Sequence, residues 1–287
     1  MKKYPLPGHS VEQVFNSYCT YLAYTFGNPS QQLKAFVDRF GTDQEPPRGE
    51  AVVFTWLSNI GMNPSVNEDP GRGGMDFLCR PPSGKDFYVE VTSIGNQAMA
   101  EQTGLPLELE NGVGGAYGLG TEMLRQRVGA KMEQLSRGNL PRVLVITSEH
   151  PIVNAVFDPN GATCLFLSKP AILVPFEGEE RSVTDLRNSV FMKPDRDDPQ
   201  RIVSARRSAS AVILVPIHAG DIRPIGLLHP DPVMPLSLED WYQTPFIRLR
   251  QWPVADGQLG IEWTIPYGGP FPVHRRLRLA RRAQGPV

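Results

Sequence analysis

The run Arg142–Thr147, RVLVIT, is apolar and β-branched through its middle. A strand with one wet face alternates polar and apolar residues, so an unbroken run of this kind predicts a strand covered on both faces. Such a strand needs layers above and below it, and the chain supplies a parallel neighbour upstream. Residues 86–92, DFYVEVT, read as that second strand, and residues 121–137 between them carry a helical pattern. Strand, helix, strand is a βαβ unit, with parallel strands and a right-handed crossover. The expected class is α/β.

The crossover helix holds an anomaly. Leu124, Val128 and Leu135 fall on one stripe at spacings of four and seven, and the missing member of the stripe is Lys131. A lysine at the centre of an apolar face snorkels to water, meets a carboxylate, or serves chemistry. Gln134 lies beside it, three residues on. When the stripe packs onto the sheet, Lys131 comes close to the face of the upstream strand that carries Glu90.

On that strand Phe87, Val89 and Val91 share one side, while Tyr88, Glu90 and Thr92 share the other. The preceding stretch from Gly71, GRGGMDFLCRPPSGKDFYVEVT, puts Asp76 on a further short strand, joined through the turn residues Pro81, Pro82, Ser83 and Gly84. The hairpin sets Asp76 beside Glu90. Two converging carboxylates are unfavourable unless a proton or a cation sits between them, which makes a divalent metal site the working expectation.

Three helices are expected upstream. Ser10 and Gln13 form a capping-box pattern ahead of Val11, Phe15, Tyr18, Leu22 and Phe26. Asn28-Pro29 reads as the start of a second helix with the stripe Leu33, Phe36, Val37 and Phe40, stopped by Gly41. After a loop over 42–48, a third helix spans 49–60, with Val53, Leu57 and Ile60 inward and Glu50 leaning to the same side. An acid early in a helix also simply complements its dipole. Proximity to the Asp76 and Glu90 hairpin makes Glu50 a candidate third carboxylate.

Downstream, strands are expected at 163–167, 171–176 and 211–217, with 177–207 as a charged excursion. The glycine-rich 111–120 lacks both GxGxxG and a Gly-Lys-Ser/Thr ending, so it reads as a flexible lip and not as a phosphate loop. Trp241, Phe246, Trp252 and Trp263 suit a core better than base stacking. Cys19, Cys79 and Cys164 are three and widely spaced, fitting free thiols in a reducing cytoplasm. No apolar run is long enough to span a bilayer, so no membrane partner is expected. The net charge of -1 announces no nucleic acid by itself. Local arginines stand out: five in 274–282, HRRLRLARR, and four in 196–207. Either group suits phosphate, although a solvated tail is the simpler account.

Glu50, Asp76 within Gly-Met-Asp-Phe, and Glu90 within Glu-Val-Thr together resemble the PD-(D/E)XK nucleases, the restriction-endonuclease-like superfamily. The resemblance covers about 48–148. It implies a mixed central sheet flanked by helices over 48–235, an amino-terminal helical extension over 1–47, and a proline-rich extension with a basic tail over 236–287. It implies a Mg²⁺- or Mn²⁺-dependent endonuclease acting on DNA, with Asp76, Glu90, Glu50 and the Val91 carbonyl as metal ligands and a possible homodimer as the cutting unit. Met75 stands where the family has proline, and Thr92 where it has the lysine of ExK. Lys131, within the K-x-x-Q-L of Lys131 to Leu135, suits the role of a lysine supplied from the following helix, with Thr92 and Gln134 in support. If it does not, the domain is a catalytically silent relative that binds nucleic acid or a protein. A third reading builds a different α/β enzyme around Glu149-His150.

Overall fold

The computed structural model describes residues 11–68, 74–103, 116–135, 139–173, 181–185, 189–198, 201–217, 223–254, 258–265 and 276–279. The amino-terminal layer is α1 (Val11–Phe26), α2 (Gln31–Thr42) and α3 (Glu45–Asn59). The strands β1 (Pro64–Val66), β2 (Phe77–Cys79) and β3 (Phe87–Ile94) follow and pair antiparallel. Then α4 (Asn96–Thr103) and α5 (Ala116–Gln134) lead to β4 (Arg142–Ser148), which runs parallel to β3 with Glu90 opposite Leu144. The βαβ unit expected from the sequence is therefore present.

After β4 come α6 (Pro151–Val156) and α7 (Pro159–Leu167), then the antiparallel pair β5 (Lys169–Leu173) and β6 (Arg181–Asp185). A small hairpin, β7 (Met192–Pro194) with β8 (Ile202–Ser204), precedes β9 (Ala211–Pro216), which lies parallel to β4. The chain closes with β10 (Ile225–Leu228), β11 (Phe246–Leu249), β12 (Gln258–Trp263) and β13 (Arg276–Leu279). Among the described residues the main sheet has eleven strands, ordered β1-β2-β3-β4-β9-β10-β11-β12-β13-β6-β5. Strands from 236–287 thus continue the same sheet, and Arg276–Leu279 of the arginine-rich tail is one of them.

The strand period divides the core cleanly. From β4, Val143 and Val145 join Tyr18, Leu22, Phe36, Phe54 and Leu57 on the face covered by α1–α3. Leu144 and Ile146 join Leu124, Val128, Leu135 and Phe166 on the opposite face, under α5–α7. β4 and β9 are buried along their whole length, as a run with no polar alternation requires. The molecule is a mixed α/β protein with a large central sheet between helices. No helix among the described residues is long and apolar enough to cross a membrane.

Several expectations are corrected. The second helix is capped by Ser30, whose Oγ accepts the Leu33 N–H at 3.1 Å, so Asn28 and Pro29 stand outside it; it also runs through Gly41 to Thr42. The loop expected over 42–48 is largely the first turn of α3, where Pro46 and Pro47 sit without needing an N–H partner. Residues 163–167 are helical, not a strand. Asp158 caps that helix by accepting the Gly161 N–H at 2.6 Å, with Pro159 at its first position, and this start signal outranks the short apolar run that follows. The segment 177–207 is no mere excursion, because Phe191 and Met192 are fully buried in the α5–α7 core. Of the glycine-rich stretch 111–120, residues 116–120 are helical, because α5 starts at Ala116 with Gly120 and Thr121 already buried, while 111–115 lie outside the described residues. Trp241 is core, packed on Trp56, Phe87 and Phe246.

Candidate active site around Asp76, Glu90 and Lys131

Placement of the first acid begins with a glycine. Gly49 on α3 lies so close to β3 and β4 that a Cβ there would overlap the Ser93 and Thr147 hydroxyls, which bond each other at 2.8 Å. This approach presses α3 onto the sheet and carries the next residue, Glu50, inward to 7% exposure. Both Glu50 oxygens are engaged. Oε1 accepts the Tyr18 hydroxyl at 2.9 Å, and Oε2 accepts Arg39 from α2 at 2.8 Å. Arg39 also reaches Glu68 at 3.7 Å. Tyr18, Phe36, Arg39, Glu50, Val66 and Glu68 line a pocket of about 150 Å³ beside these groups.

Asp76 precedes β2. Its Oδ2 accepts the Val91 N–H at 2.5 Å, so the carboxylate takes over a bond from β3 where β2 begins. The β2–β3 register, with Phe77 opposite Val89, places Asp76 one step further along, at the level of Glu90. Glu90 itself accepts Lys131 Nζ on Oε1 at 2.9 Å, with the lysine side chain 26% and the glutamate 13% exposed. Leu124, Val128 and Leu135 are buried, and Lys131, in line with them, leaves the apolar face through a carboxylate.

The electrostatics tie the three acids together. Burial pushes Asp76 well above the usual carboxylate range, the Glu50 and Glu90 charges push it further, and the Val91 N–H opposes them. Burial raises Glu50 to about 7, against the pull of Arg39 and the Tyr18 hydroxyl. Asp76 therefore sits between two acids, each carrying its own cation: Glu50 with Arg39, Glu90 with Lys131. Added positive charge at Asp76 would relieve this repulsion.

The donor set is carboxylate oxygen, with peptide carbonyls nearby, which is the chemistry of a hard divalent ion such as Mg²⁺ or Mn²⁺. Among the described residues no three His, Cys, Asp or Glu side chains are grouped to hold an ion as they stand. Each candidate acid has an oxygen turned to a donor: Tyr18 and Arg39 on Glu50, Lys131 on Glu90, the Val91 N–H on Asp76. The residues fit the ion by chemistry, and Glu50 is the acid whose oxygens are most occupied.

Thr92 is buried on the Glu90 face of β3. The side chain of Gln134 lies outside the described residues, as does Ser10. Tyr18, Arg39 and Glu68 were not anticipated. A signal existed for Tyr18, because a phenol on a buried stripe needs a hydrogen-bond partner; Arg39 and Glu68 sit at ordinary polar positions. Of the arginines in 196–207, Arg206 is bonded to the Val190 carbonyl, Arg207 to Asp231 and Arg201 to Asp195. Glu149 pairs with Arg48 at 3.4 Å, and His150 is buried after β4. The three cysteines are free thiols. No protein-family model, curated protein or solved structure matches this chain.

Proposed function

We propose that the protein is a metal-dependent nuclease that hydrolyses phosphodiester bonds, a DNA endonuclease of a restriction, repair or defence system with a PD-(D/E)XK-like core. The observation that carries this reading is the ion pair between Lys131 on the crossover helix and Glu90 on β3, beside a half-buried Asp76. A lysine from α5 stands in for the one that Thr92 replaces.

Asp76, Glu90, the Val91 carbonyl and Glu50 are the residues that would hold Mg²⁺ or Mn²⁺. Such an ion, when bound, lowers the pKa of a water and polarises a phosphate oxygen. Asp76 and Glu90 recruit positive charge, without which they repel a phosphate backbone. Lys131 keeps ammonium donors beyond the one on Glu90; these orient the attacking water and stabilise negative charge as it develops on the phosphate. Burial of Glu50 excludes water on its side of the acids. Cutting both strands calls for two such sites, supplied by a homodimer.

The test is plasmid nicking with Mg²⁺, with Mn²⁺ and with EDTA. Activity is expected with either metal and none with chelator; cleavage that survives Asp76→Ala or Glu90→Ala would overturn the nuclease reading. Lys131→Ala is expected to lower turnover by on the order of 10²-fold or more while metal binding persists. A second reading, a silent module that binds nucleic acid or a protein partner, is favoured by Thr92 in the lysine position. It is expected to give DNA retention in a gel shift with no cleavage in any metal.

A further inference from the structure

Glu50 has two partners of different kinds. Tyr18 is 1% exposed and packed among Phe36, Phe54 and Phe77, so its hydroxyl stays on Oε1. Arg39 lines the pocket with its side chain 44% exposed, and its guanidinium has a second acid, Glu68, at 3.7 Å. One partner is fixed and the other can leave. A divalent ion approaching Oε2 meets a guanidinium already bonded there at 2.8 Å, and two cations on one carboxylate oxygen repel each other.

We propose that Arg39 is a built-in counter-cation for Glu50 that competes with the divalent ion, and that metal entry hands the guanidinium over from Glu50 to Glu68. This rests on the metal-site reading given above and goes beyond it by assigning a role to a residue outside the acid and lysine set. The arrangement keeps a buried acid neutralised when no ion is present, and it makes the Glu50 ligand conditional on a side-chain movement on α2. Glu68, 36% exposed, receives the guanidinium with little burial of charge. The Arg39 guanidinium carbon lies over the Phe36 ring, 5.7 Å from its centroid, and the head, already 3.7 Å from Glu68, has only a short way to move.

The experiment is calorimetric Mn²⁺ binding to the full chain, compared with Arg39→Met and Arg39→Gln. Methionine keeps the packing of the stem, and glutamine keeps a donor near Glu50 without its charge. Both are expected to bind Mn²⁺ roughly tenfold more tightly than the wild type, the effect of one unit charge a few ångströms from a divalent ion in hydrated surroundings. Both are also expected to show a larger rise in Tm on addition of Mn²⁺, a readout that survives a loss of basal stability. Equal or weaker binding in both variants overturns the competition. Asp76→Ala separates this outcome from failure of the metal site. If the wild type binds Mn²⁺ and Asp76→Ala does not, unchanged affinity in the Arg39 variants sinks only the Arg39 inference. A wild type that binds no Mn²⁺ sinks the metal reading with it.

Discussion

The raised carboxyls of Glu50 and Asp76 predict a stability that falls as pH rises. Glu50 has a folded pKa of about 7 against an ordinary value near 4.5, and Asp76 is shifted in the same direction. The fold favours the protonated Glu50 carboxyl, so its contribution to stability is complete below about pH 4.5 and is lost as pH rises through about 7, and Asp76 acts in the same direction. In EDTA, Tm is expected to fall between pH 5 and pH 8, and Glu50→Gln to remove much of that slope. The Glu50 contribution is at most about 3 kcal/mol. On the proposed metal-site reading, Mn²⁺ is expected to reverse the trend, because a carboxylate holds a cation only in its deprotonated form. The Val91 amide, held by Asp76 Oδ2 at 2.5 Å, is the local probe: its NMR shift is expected to titrate with Asp76. At this scale Lys131 was legible because a charge interrupting an apolar stripe is a local contradiction, and its partner lay on the neighbouring strand. Arg39 was not, since an arginine on the polar side of a surface helix contradicts nothing.

Among the elements, α3 sets the geometry through one close approach. Gly49→Ala forces the helix away from the Ser93 and Thr147 hydroxyls, and overpacking of this kind costs about 1–3 kcal/mol. Denaturant unfolding is expected to show that loss, and Mn²⁺ binding should weaken with it because Glu50 is displaced on the same helix turn. Periodicity revealed α1, α3, β3, α5, β4 and β9, each long or strongly patterned. It failed for α7, where the five residues Thr163 to Leu167 look alike as strand or helix end and the deciding signal, Asp158-Pro159, lies outside them. The start of α2 was misplaced because two capping candidates, Asn28 and Ser30, stand two residues apart and only the side-chain bond to Leu33 separates them.

For the molecule as a whole, α1 and α2 belong to the core rather than to a removable preface. Tyr18, Leu22 and Phe36 pack in one cluster with Phe54, Val143 and Val145. Phe36→Ala is expected to cost about 3–5 kcal/mol, and deletion of residues 1–44 to abolish cooperative unfolding monitored by circular dichroism. The sheet order beyond β9 was not readable, because β5 and β6 join the far edge through β13, more than ninety residues away in sequence, and no local pattern encodes such a pairing. One consequence follows from the division of the core into two faces. Glu50 and Arg39 belong to the layer on one side of the sheet and Lys131 to the layer on the other, so neither half-folded intermediate owns a full set of charges. An arrangement that needs all of these charges therefore exists only when both helical layers are docked on the sheet.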